Sequence, residues 1–165
     1  MGTGKGIASF YRSGKFCPKK DIKKGLAQIS LLSSIDLDII NVYRSQGMND
    51  AELAKDLEGL INMSKLTIIC GDFNLCYIDQ QGNEVTKMLV QAGFTQQVYE
   101  ATHFKGGHID HVYSNHDQSL LDVVIRFYSP YYMAKDHDAI CITVTKVAKQ
   151  VPLGCGKYPM IKSKL

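Results

Sequence analysis

A run of apolar and β-branched residues, Leu66-Thr67-Ile68-Ile69-Cys70, passes directly into Gly71-Asp72-Phe73-Asn74. A short continuous apolar stretch of this kind is the pattern of a strand buried on both faces. Gly71 either ends that strand or admits a close backbone or ligand. Asp72 and Asn74 alternate with Phe73, so both point one way while Phe73 anchors the other side. Polar groups at the C-terminal mouth of a buried strand are where α/β proteins keep much of their chemistry. The same residues also suit an Asx-type turn, with both side chains bonding local backbone.

The elements before this strand follow from periodicity. Gly6 to Arg12 has the composition of a strand. Lys15 to Lys24 is basic and broken by Pro18 and Asp21, which predicts a loop or hairpin tip. Its lysines are either phosphate contacts or a solvated surface. Leu26 to Ser33 and Asp38 to Arg44 predict two further strands. Tyr43 and Arg44 end the second, where a phenol and a forked cation could meet a phosphate. The alternative is a packed tyrosine and a solvated arginine. Asn49 or Asp50 then caps a helix whose apolar face is Leu53, Ala54, Leu57, Leu60 and Ile61. That helix returns the chain to Leu66, making a strand–helix–strand unit.

After Asn74, a Gly82-Asn83 turn leads into a helix over Glu84 to Gln91, with Gly93 as its stop. Gln96 to Thr102 is a short strand or an extended segment, and His108 to Tyr113 is a strand in which Asp110 shares a face with His108 and Val112. Leu120 to Tyr128 and Ala139 to Val144 are the last strands, separated by a loop carrying Lys135-Asp136-His137-Asp138. From Lys146 onward there are lysines and prolines but no acidic residue, the composition of a basic, poorly ordered tail. The expected organisation is one domain over residues 5–145 and a tail over 146–165.

Composition narrows the function classes. The net charge of +3 is too small to argue for nucleic acid by itself. No apolar run approaches the length of a membrane span, and no signal peptide opens the chain, so no membrane partner is expected. Cysteines stand at 17, 70, 76, 141 and 155, an odd count without a C-x-x-C pair. This fits a reducing intracellular compartment, nucleus or cytoplasm.

The polar clusters Asp72/Asn74, Asp110 and Asp136/His137 sit at strand ends or in adjacent loops. Carboxylates brought together need a cation, or one must stay protonated. Aspartate oxygens are ligands that Mg²⁺ accepts. A histidine beside an aspartate has its tautomer fixed and its cation favoured. Together they suit hydrolysis of a phosphate ester. Zinc held by His103, His108, His111 and His137 is disfavoured, because His108 and His111 fall on opposite faces of a strand.

Four motifs in order carry a family resemblance: Asn41-Val42-Tyr43-Arg44, Gly71-Asp72-Phe73-Asn74, Thr102 with Ile109-Asp110-His111-Val112, and Asp136-His137 before a closing strand. The chain resembles the endonuclease/exonuclease/phosphatase superfamily, and within it the endonuclease domains of mobile elements of the non-LTR retrotransposon and Helitron types. The resemblance implies an α/β four-layer sandwich, two mixed β-sheets with flanking helices. It also implies a Mg²⁺-dependent phosphodiesterase, with Mn²⁺ as the substitute metal and DNA as the partner. By the same resemblance Asp72 orients or activates water, and Asn74 holds that water or a phosphate oxygen. Tyr43 bonds the phosphate, His137 contacts the scissile group, and Asp110 orients His137. Asp136 and Asp72 lie at the metal. Family members begin with an Asn-bearing strand and a metal-binding Glu, and this sequence matches from the strand after them. None of Glu52, Glu58, Glu84 or Glu100 stands in that context. The resemblance therefore implies a domain truncated at the N-terminus with low metal affinity. Its alternatives are a non-catalytic nucleic-acid-binding remnant, holding on through residues such as Lys19, Lys20 and Lys23, and a phosphatase acting on another phosphodiester.

Overall fold

The computed structural model describes residues 7–11, 14–76, 82–115, 121–126 and 136–144. The strands are β1 (Cys17–Lys24), β2 (Ala27–Ser33), β3 (Leu37–Arg44), β4 (Leu66–Asp72), β5 (Thr95–Gln96), β6 (Asp110–Ser114), β7 (Leu121–Arg126) and β8 (Ala139–Val144). The helices are α1 (Asp50–Glu58), between β3 and β4, and α2 (Glu84–Gln91), between β4 and β5. A six-stranded mixed sheet has the order β1-β2-β3-β4-β6-β5, and β7 pairs with β8 in a second sheet. Only β3 and β4 run parallel among these pairs, and α1 supplies the crossover that a parallel pair requires.

β4 is buried on both faces, as its unbroken apolar run predicts. Ile69 and Phe73 join Ile40, Val42 and Tyr113 in a core closed by Leu53 and Leu57 of α1 and Val85 and Leu89 of α2. Ile68 and Leu66 face the other way with Leu37 and Val112, against Ile140, Ile142 and Val144 of β8. The described residues thus form a helix layer, a six-stranded sheet and a second sheet, the α/β sandwich expected. The second sheet is antiparallel rather than mixed in its described part.

Both helices begin where the sequence signals place them. The Asn49 side chain accepts from the Ala51 N–H, and the Asn83 side chain accepts from the Thr86 N–H. Gly93, just past α2, takes φ +81°, the left-handed geometry of a helix stop.

Two expectations at the start of the chain are corrected. Residues 7–11 form no strand; the edge of β2 is already paired with β1, and Phe10 is 96% exposed. The basic segment is not a loop but most of β1. Its backbone pairs with β2, while Ile22 packs toward the core and Lys19, Lys20 and Lys23 stay in solvent. Lysines are well suited to such an edge, because they discourage pairing with another chain.

Of the segment Gln96 to Thr102, read as a short strand or an extended segment, only Gln96 is strand, together with Thr95 in β5. The Gln96 side-chain oxygen accepts from the N–H groups of Gln97, Val98 and Val112, which displaces the strand ladder there. The tail from 146 lies outside the described residues. No helix among them is long and apolar enough to cross a membrane.

Candidate active site

Strand register builds the site. Tyr43 of β3 pairs with Asp72 of β4, and Asp72 pairs with Asp110 of β6. Three side chains separated in sequence thus stand in one row at one end of the sheet.

Gly71 makes the row fit. Its φ is +137°, and a Cβ there would sit 2.0 Å from the Val42 carbonyl oxygen. Only glycine lets β3 and β4 approach so closely while β4 delivers Asp72. Beyond Asp72 the chain turns sharply, with Asn74 at φ +49°. Asp72 Oδ1 accepts the Asn74 backbone N–H at 2.9 Å, and Asp72 Oδ2 accepts Asn74 Nδ2 at 3.1 Å. Asn74 Nδ2 also donates to the Arg44 carbonyl at 2.7 Å. The Asx-type turn and the polar site are therefore one object.

The second half of the site arrives from the loop before β8. His137 Nδ1 lies 2.8 Å from Asp110 Oδ2. The Thr102 hydroxyl donates to that same oxygen at 2.7 Å, and accepts the Asp110 N–H at 3.2 Å. Thr102 is fully buried, so Asp110 is held from behind. The chain around His137 is pinned to this corner, since the Asp138 N–H donates to the Thr102 carbonyl and the Phe104 N–H to the Asp136 carbonyl. The His103 ring stands edge-on to His137, centroids 5.1 Å apart.

Electrostatics follow from this packing. Burial lowers the affinity of His137 for a proton, but the hydrogen bond and charge of Asp110, with Asp72 and Asp136 behind it, outweigh this and raise its pKa. Asp72 is also raised, first by burial and then by the charge of Asp110, against the opposing Asn74 hydrogen bonds and His137. The site therefore favours the cationic form of His137, and makes Asp72 harder to ionise than a free aspartate.

Of the sequence candidates, Tyr43, Asp72, Asn74, Asp110 and His137 come together. Asp136 is exposed and adjoins the others through its charge on His137. Arg44 goes elsewhere: it is 6% exposed and turns inward. Its Nε and one terminal nitrogen donate to Asp50 Oδ1, and it also bonds the Met48 carbonyl. It is neither a phosphate contact nor a solvated cation, but a buried brace between β3 and α1. Thr102 and its grip on Asp110 were legible only as a motif member, because the contact spans a Gly106-Gly107 turn.

A cavity of about 310 Å³ opens beside Tyr43, Ser45, Gln46 and Asn74. A second, about 220 Å³, is lined by Asp110, Asp138, Cys70 and Ile140. Two larger clefts run along β1, one lined in part by Asp21 and Lys23 and the other by Lys15, Lys19, Asp36 and Lys65, away from Asp72, Asp110 and His137.

Among the described residues, no three His, Cys, Asp or Glu side chains are placed to hold a metal ion. What they offer is a pair of carboxylates, Asp72 and Asp110, on register-paired positions. The donor type suits Mg²⁺, which often takes one or two carboxylates with water and substrate phosphate. A complete protein cage is not formed by these residues. His111 is buried, with Nε2 against the Leu75 and His108 carbonyls, so it offers no ligand to the site.

The family model described as "Endonuclease/Exonuclease/phosphatase family" matches residues 9–132. The chain belongs to this family. The match spans Tyr43, Asp72, Asn74 and Asp110 but stops short of His137, which is joined to them by the geometry above. Among solved structures, the chain is similar to CdtB, described as the biologically active subunit of cytolethal distending toxin. The TM-score is 0.58 and the identity 13%, over 81% of this chain and 58% of that one. It is also similar to the endonuclease domain of TRAS1, a telomere-specific non-LTR retrotransposon. There the TM-score is 0.55 and the identity 14%, over 73% of this chain and 63% of that one. At such identities the likeness is one of fold, and the chain spans under two thirds of the length of either structure. Nothing among curated proteins matches this endonuclease/exonuclease/phosphatase chain.

Proposed function

We propose that this chain carries a phosphodiesterase centre acting on DNA, as a Mg²⁺-dependent endonuclease of an intracellular compartment, with Mn²⁺ as a substitute. The observation that carries the reading is the register row Tyr43–Asp72–Asp110, with His137 bonded to Asp110 at its end.

The roles follow from hydrogen-bonding capacity. Asp72 accepts the proton of an attacking water or orients it. Asn74 directs Nδ2 at the Arg44 carbonyl and at Asp72. Its remaining group is the Oδ1 acceptor, which suits water better than a phosphate oxygen. Tyr43 presents a hydroxyl toward the phosphate, with Ser45 Oγ 3.4 Å from it. His137, whose cationic form Asp110 favours, neutralises charge developing on the phosphoryl oxygens. When bound, Mg²⁺ supplies Lewis-acid neutralisation of that charge, with Asp72, Asp110 and the nearby Asp136 as the oxygen donors available.

Nucleic acid is favoured over a lipid phosphodiester by the surface next to His137. Phe104 is 65% exposed, and Lys105 Nζ stands 5.3 Å from its ring centroid. An exposed aromatic with a cation at its face suits a nucleobase. A second reading, a non-catalytic nucleic-acid-binding protein, is supported by Lys19, Lys20 and Lys23, which stand exposed along β1 and could hold phosphates.

The test is nicking of supercoiled DNA by the purified chain with Mg²⁺ and with EDTA, alongside a calorimetric Mg²⁺ titration. Metal-dependent nicking that disappears in Asp72→Ala and His137→Ala supports the enzyme. Salt-sensitive DNA binding with neither nicking nor Mg²⁺ uptake selects the binding protein instead.

A further inference from the structure

We infer that His111, which takes no part in the chemistry above, is a positioning residue that fixes the spacing and backbone geometry of Asp72, Asn74 and Asp110. The ring is 1% exposed and lies behind the site, on the face of β6 opposite Asp110. Its Nε2 is 2.8 Å from the Leu75 carbonyl oxygen and 3.1 Å from that of His108. One carbonyl belongs to the turn that follows Asn74, the other to the segment that leads into Asp110. The imidazole therefore clasps the exit of β4 to the entry of β6. The Phe73 N–H adds a parallel clasp on the Ile109 carbonyl at 2.9 Å.

The chemistry of the partners determines the protonation state. Both groups at Nε2 are carbonyl oxygens, which only accept, so Nε2 carries the hydrogen. Nδ1 is then the acceptor, and the Tyr113 hydroxyl stands 3.4 Å from it. That hydroxyl is 3.4 Å from Thr86 Oγ1, which in turn accepts Asn83 Nδ2 at 3.0 Å. The direction is consistent throughout: Asn83 to Thr86, Thr86 to Tyr113, Tyr113 to His111, His111 to the two carbonyls. The cap of α2 is thereby connected through the core to the turn bearing Asn74.

Stacking supplies the second constraint. The Phe73 ring lies on His111 with centroids 4.7 Å apart and planes at 13°. Phe73 sits between Asp72 and Asn74, so holding its ring flat holds the residues on either side. Asn74 occupies a left-handed conformation, which asparagine adopts more readily than most residues. His111 holds the residues on either side of it, the Phe73 ring by stacking and the Leu75 carbonyl through Nε2, while Asp72 and the Arg44 carbonyl hold Asn74 itself.

The geometric part of this inference stands without any activity; its catalytic consequence rests on the phosphodiesterase reading. The experiment is amide hydrogen exchange by NMR on the full chain, for wild type, His111→Phe and His111→Gln. His111→Phe keeps a stacked ring and removes the donor; His111→Gln restores an N–H donor without the ring. The expected result is at least a tenfold larger loss of protection at the Phe73 and Asn74 amides than at Ile40 and Ile69 in His111→Phe, partly recovered in His111→Gln. Uniform loss, or none, overturns the inference. If neither variant folds, nitrogen NMR of the wild-type ring decides: a hydrogen on Nε2, bonded to a carbonyl oxygen, is required, and a ring whose only hydrogen is on Nδ1 overturns it. If the wild type hydrolyses DNA, the local loss must lower kcat with KM little changed. If it hydrolyses none, the functional reading fails alone and the exchange result still decides the positioning.

Discussion

His137 Nδ1 meets Asp110 Oδ2 at 2.8 Å, across 27 residues of sequence, and this bond joins the closing loop to the strand row of the site. Thr102 shares the same carboxylate oxygen, so the geometry of the pair is braced from the buried side. Replacing Asp110 by Asn keeps the shape but removes the charge that raises the His137 pKa. In Asp110→Asn the His137 titration, followed by proton NMR, moves down from its wild-type value. Hydrolysis falls by roughly 10²–10⁴-fold, the usual contribution of a positioned proton-transfer or charge-bearing group.

The pH profile carries a sign that both shifts share. In the proposed mechanism Asp72 works ionised, and its raised pKa moves the acid limb to higher pH. His137 there works as a cation, and its raised pKa moves the alkaline limb the same way. The rate optimum therefore lies higher than unperturbed Asp and His would place it. Stability runs oppositely to pH. A folded value above the unfolded one contributes stability below the unfolded value, and that contribution is lost as pH rises through the folded value. Urea titrations of wild type and His137→Ala should differ most on the acid side of the unfolded histidine value and converge above the raised one.

Gly71→Ala is expected to be severe. Its Cβ would fall 2.0 Å from the Val42 carbonyl oxygen, and the backbone φ of +137° is foreign to alanine. Strain and overpacking together cost on the order of 3 kcal/mol or more, read as a lower urea midpoint. Asp72 follows next in the chain, so any surviving folded protein should also lose hydrolysis.

Arg44→Met separates a structural role from a substrate-binding one. The mutation strands Asp50, whose side chain is 26% exposed, and leaves the Met48 carbonyl without this donor. Removing one partner of a buried pair costs about 3–5 kcal/mol, and partial exposure of Asp50 reduces this to about 2–4 kcal/mol. A drop in stability of this size is expected, with KM of the folded fraction unchanged. A raised KM at unchanged stability would show that the guanidinium reaches substrate.

Phe104→Ala leaves stability nearly unchanged, because the side chain is 65% exposed. Loss of one stacked base weakens DNA binding by about 1–3 kcal/mol, roughly ten- to a hundredfold. Binding assays at fixed salt with single-stranded and duplex DNA read this directly. An unaltered affinity would remove Phe104 from the substrate surface.

Much of the architecture is local and was readable as such. The double-faced burial of β4 lies in an unbroken run from Leu66 to Cys70. The helix boundaries lie in Asn49, Asn83 and Gly93, whose side chains or φ act on residues one turn away. β1 was hidden because lysines dominate its composition, and strand pairing uses backbone groups that a residue pattern does not record.

The sequence by itself determined which strand is central, where the helices start, and which polar residues stand at the strand ends. Periodicity and capping act over a few residues, so they survive without knowledge of the fold. The tertiary structure decided the register that lines Tyr43 up with Asp72 and Asp72 with Asp110. It also turned Arg44 inward and gave His111 two carbonyls to hold rather than a metal. These outcomes depend on which backbones lie side by side and which polar groups burial leaves to be paired. That is settled only when distant segments pack.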